Sequence, residues 1–210
     1  MPGTCSNPGH VCCNIEADEV SATGSEFYID ANAGNDTNDG TSPQTAWKTL
    51  SKIGSASSGA VVNLKRGSVW NTSGAIDLTN VTVRPYDQGP RPAIHGTNIV
   101  VPQSLGTIVL KGNAILDAVR VTSDQGFGLY IHGDNNIIRN SEVDGSDTGA
   151  LMGIGVVGND NEVTNCYIHD LTVNTGDTGD VNSSGGAEGI VIFAGSHIEW
   201  AIILSPVLTA

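Results

Sequence analysis

The chain is short of cations. Of 210 residues only nine are Lys or Arg, against 22 Asp or Glu, giving a net charge of -13. Nine cations cannot replace the counterions condensed around a phosphate backbone, which argues against nucleic acid and anionic membranes as direct partners. A polyanionic glycan meets the same repulsion unless a cation bridges it. No apolar run reaches about 18 residues, so no membrane span is expected. The opening "MPGTCSNPGHVCC" lacks the basic region and apolar run of a signal peptide, so a secreted form is expected to be a mature chain or one with an engineered start.

Cysteine is also scarce, at four residues. Cys5, Cys12 and Cys13 sit in a Gly/Pro-containing head, where one disulfide, Cys5 to Cys12 or Cys13, is the simplest reading. Cys5, His10, Cys12 and Cys13 make a cramped zinc set, because adjacent cysteines rarely point at one metal. Cys166, inside a repeat, reads as a small buried filler. What is plentiful is glycine, at 27, with Val, Ile, Leu and Ala supplying the apolar content. That mixture favours short strands joined by turns.

Three segments align: "GLYIHGDNNIIRNSEV" from Gly128, "GIGVVGNDNEVTNCYI" from Gly153 and "GIVIFAGSHIEWAII" from Gly189. A weaker copy, "GNAILDAVRV", starts at Gly112. Repeats of this length mark a solenoid, and strands this short and β-branched mark parallel β coils rather than paired helices. The alignment puts Ile138, Val163 and Ile198 in one core column and Val143, Ile168 and Ile203 in another. Asn140 and Asn165 coincide at a bend, where Asn tolerates a left-handed backbone and its amide can bond to the Asn one coil away. Replacing Asn165 by Leu is expected to cost about 1–3 kcal/mol, read as a shift in the denaturation midpoint. Trp200 falls where the next Asn is expected.

Upstream, "EFYIDANAGNDTNDGTSPQTAWKTLSKI" reads as a strand, a polar loop and a short helix from about Thr45, with Trp47, Leu50 and Ile53 on the face that covers the first coil. The expected organisation is a Cys-containing head over residues 1–25, strand, loop and capping helix over 26–60, parallel β-helix coils over 61–199, and an apolar cap or assembly segment over 200–210.

"FYIDANAGNDTNDGTSPQTAWKTL", "VVNLKRGSVW" and "TVRPYDQGPRPAIHG", followed by "NNIIRNSEV" and "NEVTNCYIHDL", resemble the N-terminal portion of the right-handed parallel β-helix proteins of the pectate-lyase-like superfamily. The resemblance covers roughly residues 26–199. It implies an all-β right-handed parallel β-helix that is extracellular or at the cell surface and acts on a polysaccharide as a lyase or glycoside hydrolase. The same opening is shared by phage tailspikes and surface proteins. A structural or adhesive β-helix, stacking end to end through "WAIILSPVLTA", is therefore the alternative.

Lyases of this superfamily use a Lys or Arg base and a positive group on the uronate carboxylate; hydrolysis needs two carboxyl groups. Asp124, Asp147 and Glu188 precede the opening strands of three coils, at four, six and one residues from the strand glycine, and are candidate catalytic carboxylates. His169 beside Asp170 is a candidate catalytic pair, and Lys111, Arg139 and His132 are candidate substrate contacts. Asp144, Asp147, Asp177 and Asp180 are clustered hard oxygens of the kind Ca²⁺ takes.

Overall fold

The computed structural model describes residues 24–97, 106–146, 152–171 and 188–204, with the backbone alone for Glu188 and residues 200–204. The Cys5, Cys12 and Cys13 head lies outside them, as do Asp147, Asp177 and Asp180.

Short β-branched runs separated by Gly, Asn and Asp wind the chain into a right-handed parallel β-helix with three faces. The first face stacks β2 (Val61–Lys65), β5 (Thr82–Tyr86), β8 (Ile115–Asp117), β11 (Ile137–Arg139) and the first half of β14 (Glu162–His169). β1 (Glu26–Ile29) pairs with β2 at one end, and β16 (Glu199–Leu204) pairs with β14 at the other. The second face stacks β3 (Val69–Thr72), β6 (Ala93–Gly96), β9 (Arg120–Ser123), β12 (Glu142–Asp144) and the second half of β14. The third stacks β4 (Ile76–Leu78), β7 (Gly106–Leu110), β10 (Phe127–His132), β13 (Met152–Val157) and β15 (Glu188–Ala194). Every one of these pairings is parallel.

Inward residues of equal register stack into buried columns: Val83, Leu116, Ile138 and Val163 on the first face, and Ile94, Val121, Val143 and Ile168 on the second. Coils lie about 4.8 Å apart, so each side chain touches its equivalents above and below and the core grows by repetition. Cys166 is buried as a free thiol in this core, and burial pushes its pKa up to about 11.

The bend between the first two faces carries the expected asparagine pair. Asn140 and Asn165 have φ of 53° and 49°, and Asn165 Nδ2 donates to Asn140 Oδ1 at 2.7 Å. Asn140 Nδ2 in turn donates to Asp117 Oδ1 at 2.8 Å. A second, inward ladder was not expected. Asn136 and Asn161, on the turns between the third and first faces, are both buried, and Asn161 Oδ1 accepts from the Asn136 backbone N–H at 2.9 Å and its Nδ2 at 3.1 Å.

The last coil departs from the register expected for it. Trp200 opposes Val163 and Leu204 opposes Ile168, so neither Ile198 nor Ile203 joins the columns assigned to them. Asn165 is skipped by the irregularity between Thr164 and Cys166, and Trp200 does not take its place. The cause is local. β15 carries an extra residue at Phe193, between the pairs Val156–Ile192 and Val157–Ala194. The following turn then locks Gly195 onto Gly158, through the Gly158 N–H to Ala194 O bond, with both glycines at φ values that side chains resist. Turn geometry, rather than the nearest apolar letter, sets the register.

The capping helix is two 3-10 segments, Pro43–Thr45 and Leu50–Ser55, the second burying Leu50 and Ile53 against the first coil. Trp47 precedes it and bridges Ile29 as a strand would, stacking on Phe27 at 4.7 Å. This segment covers the free edge of β1, which would otherwise offer unpaired backbone groups. Among the described residues no helix is long and apolar enough to cross a membrane.

Candidate functional site

Because side chains alternate across a strand, the inward set Ile94, Val121, Val143 and Ile168 leaves two outward rows on the second face. One row runs Val69, Ala93, Arg120, Glu142, Tyr167; the next runs Asn71, His95, Thr122, Asp144, His169. On strands this close, outward charges of neighbouring coils must be neutralised by one another.

They are. Arg120 forms an ion pair with Asp144 Oδ2, and its Nε lies 3.5 Å from Glu142 Oε1. Arg91, on the turn before β6, reaches Glu142 Oε2 at 3.3 Å. His169 Nε2 is 3.2 Å from Glu142 Oε1, and His169 Nδ1 is 2.8 Å from Asp170 Oδ2. Tyr167 stacks on the imidazole with centroids 4.3 Å apart and planes 23° from parallel. Asp144 is the buried member, its side chain 5% exposed, and Oδ1 accepts the Ser146 backbone N–H at 2.8 Å. Beside these groups opens a groove of about 470 Å³, bounded by Gly67, Ser68, Val69, Pro90, Arg91 and the Arg120–Glu142 pair.

Burial works to raise the Asp144 pKa, but the Ser146 and Arg120 hydrogen bonds outweigh it and hold it at about 2. Burial works to lower the His169 pKa, while the hydrogen bonds to Asp170 and Glu142 raise it above the usual imidazole value. The depressed Asp144 contributes stability above pH about 4 that is lost as pH falls towards 2, worth about 2 kcal/mol. The raised His169 contributes stability present below pH about 6.5 and lost as pH rises through its folded pKa. The denaturation midpoint is therefore expected to be highest between about pH 4 and 6.5. D144N should flatten the acid limb and H169Q the alkaline one; identical profiles in the variants would remove this assignment.

Glu142, Asp144 and His169 each offer one ligand atom, all within 4.8 Å of one another, and so could hold a cation.

The structure brings together three of the residues singled out from the sequence: His169, Asp170 and Asp144. The others are dispersed. Lys111 pairs with Asp77 at 2.6 Å, and His132 is exposed at the end of β10, both at the third face. Arg139 pairs with Asp117 at 2.9 Å on the first. Glu188 opens β15 opposite Met152, in register with Phe127, whereas Asp124 stands three residues before Phe127 on the turn from β9. Those two carboxylates therefore do not share one register position.

No protein-family model matches the chain, and no curated protein matches it. Among solved structures, a rhamnogalacturonan lyase superposes over 85% of this chain with a TM-score of 0.57, at 14% sequence identity. The chain has a pectate-lyase-like β-helix fold. It spans 54% of that lyase.

Within this β-helix the sequence reading missed Glu142, Tyr167, Arg91 and the role of Arg120. A signal was present. The equivalence of Val143 and Ile168, read from the repeat, already places Glu142 beside Tyr167 and Asp144 beside His169.

Proposed function

We propose that this is an extracellular, carbohydrate-active β-helix protein that binds an acidic polysaccharide along its second face and cleaves it by β-elimination. The observation that carries the reading is the groove that ends on Arg91, Arg120, Glu142 and His169. Val69 is 52% exposed and, with Ala93 and Pro90, gives the groove an apolar floor suited to the C–H face of a sugar. Arg91, the most exposed cation of the cluster, would take the uronate carboxylate, which frees Glu142. Glu142 is then the base that removes the C5 proton; the C4–O bond breaks as the C4–C5 double bond forms; and His169 protonates the departing oxygen. The printed name of the superposed lyase makes rhamnogalacturonan the first polymer to test.

A panel of acidic glycans, with and without Ca²⁺, is expected to give a rise in ultraviolet absorbance from the new double bond. That rise should fall by about a hundredfold or more in E142Q. New reducing ends without the absorbance would convert the reading to hydrolysis. Neither signal across the panel would leave the second reading, a structural or adhesive β-helix, which the exposure of Ile192 (46%) and Phe193 (56%) on β15 favours. Light scattering that finds the chain monomeric both intact and truncated after Glu199 would remove that one.

A further inference from the structure

Calcium does not fit the second-face cluster. It takes six to eight hard oxygens, and here two carboxylates share their space with an imidazole and two guanidiniums. We propose instead that Glu142, Asp144 and His169 form a site for a nitrogen-accepting divalent ion of the zinc class, with its remaining positions open to the groove. This deepens the glycan-cleaving reading of the same face.

Three features of the chain carry it. The donors stand on adjacent strands of one parallel sheet, Asp144 directly opposite His169 and Glu142 opposite Tyr167, so their positions are fixed by backbone pairing rather than by a loop. His169 is oriented from outside the triad: Asp170 holds Nδ1 at 2.8 Å and Tyr167 lies flat against the ring at 4.3 Å, leaving Nε2 facing Glu142. A carboxylate on the far nitrogen is the arrangement that fixes the tautomer and direction of a metal-bound histidine. Finally, Glu142 and Arg120 line the groove, so water or a substrate oxygen can complete the shell, as in zinc sites with three protein ligands.

The two guanidiniums do not compete for every lone pair. Arg120 meets Asp144 through Oδ2 and Arg91 meets Glu142 through Oε2, and each carboxylate oxygen can accept more than one partner. With neutral His169, a dication leaves the cluster of Glu142, Asp144, Asp170, Arg91 and Arg120 with one positive charge in excess. A glycan carboxylate would cancel it.

The test uses the full chain, alkylated so that Cys5, Cys12 and Cys13 cannot bind metal, stripped with a chelator and titrated with Zn²⁺ by calorimetry. One equivalent is expected to bind. H169Q and E142Q should each weaken it by about tenfold or more, with D170N weakening it less, through orientation. Melting curves of the unloaded variants check that they remain folded. Co²⁺ in place of Zn²⁺ should show visible absorption of a low-coordinate ion, and about a hundredfold excess of Ca²⁺ should not displace either ion. No stoichiometric binding, equal affinity in H169Q, or displacement by Ca²⁺ would overturn the site. Binding of an acidic glycan to the chelator-treated protein separates the two claims: glycan bound without any zinc affinity sinks the metal site and leaves the glycan reading standing.

Discussion

Arg120→Met is expected to destabilise the protein by about 3 kcal/mol, seen as a lower denaturation midpoint at unchanged slope. The reason is asymmetry of exposure. The Asp144 side chain is 5% exposed and pairs with an arginine whose side chain is 32% exposed, so removing the cation strands a buried carboxylate that water cannot reach well. Breaking a buried pair from one side costs about 3–5 kcal/mol, and the partial exposure of Arg120 puts the effect at the lower end. Asp144→Asn in the same background should recover much of the loss, because the stranded charge is then gone; a double-mutant cycle reads this coupling directly. Lysine at 120 should restore little, since an ammonium cannot serve Asp144 and Glu142 together in the planar fork. A single variant as stable as the parent would mean that Ser146 and solvent carry Asp144 alone.

The parallel β-helix was legible because it is written many times over. Gly128, Gly153 and Gly189 sit at equal register, as read, and Ile138 with Val163 and Val143 with Ile168 form the columns expected of them. Repetition fails as a guide where one coil breaks the count. The extra residue at Phe193 displaces everything after it, and the apolar run from Trp200 allows several alignments that only the left-handed turn at Gly195 and His197 decides.

The site was harder to read for a different reason. Its residues come from the solvent-facing letters of strands, where sequence shows only charge, and the pairing of Arg91 with Glu142 spans 51 residues across coils that are not adjacent in sequence. The "HD" dipeptide at His169 was visible but carried no direction. Stacking on Tyr167 and contact with Glu142, which give it chemical meaning, follow only once the Val143–Ile168 register is carried one residue to each side.

Asn161→Leu is expected to cost about 4 kcal/mol, more than the 1–3 kcal/mol of the half-buried Asn165. Leucine matches asparagine closely in size, so the loss is of hydrogen bonds at a position 1% exposed. Asn161 Oδ1 accepts two bonds from Asn136, and Asn161 Nδ2 donates to Gly133 O at 3.0 Å, so its removal orphans groups on the coil beneath. Asn136 then loses its anchor while its own Oδ1 still carries the Gly112 and Ala114 N–H groups, at 3.1 and 3.2 Å. The damage therefore passes down the stack rather than staying at one turn. Ile198, the residue after the left-handed turn in the last coil, occupies the corresponding place, as the Glu199 N–H to Asn161 O bond shows. An apolar side chain is thus tolerated at this position, but it serves no coil beneath. Ile198→Asn should consequently stabilise the last coil, by giving the Asn161 backbone the acceptor that Asn161 gives Asn136, and hydrogen exchange at Asn161 should slow. Unchanged exchange there, with Asn161→Leu costing under about 1 kcal/mol, would show that the inward ladder follows the turns rather than holding them.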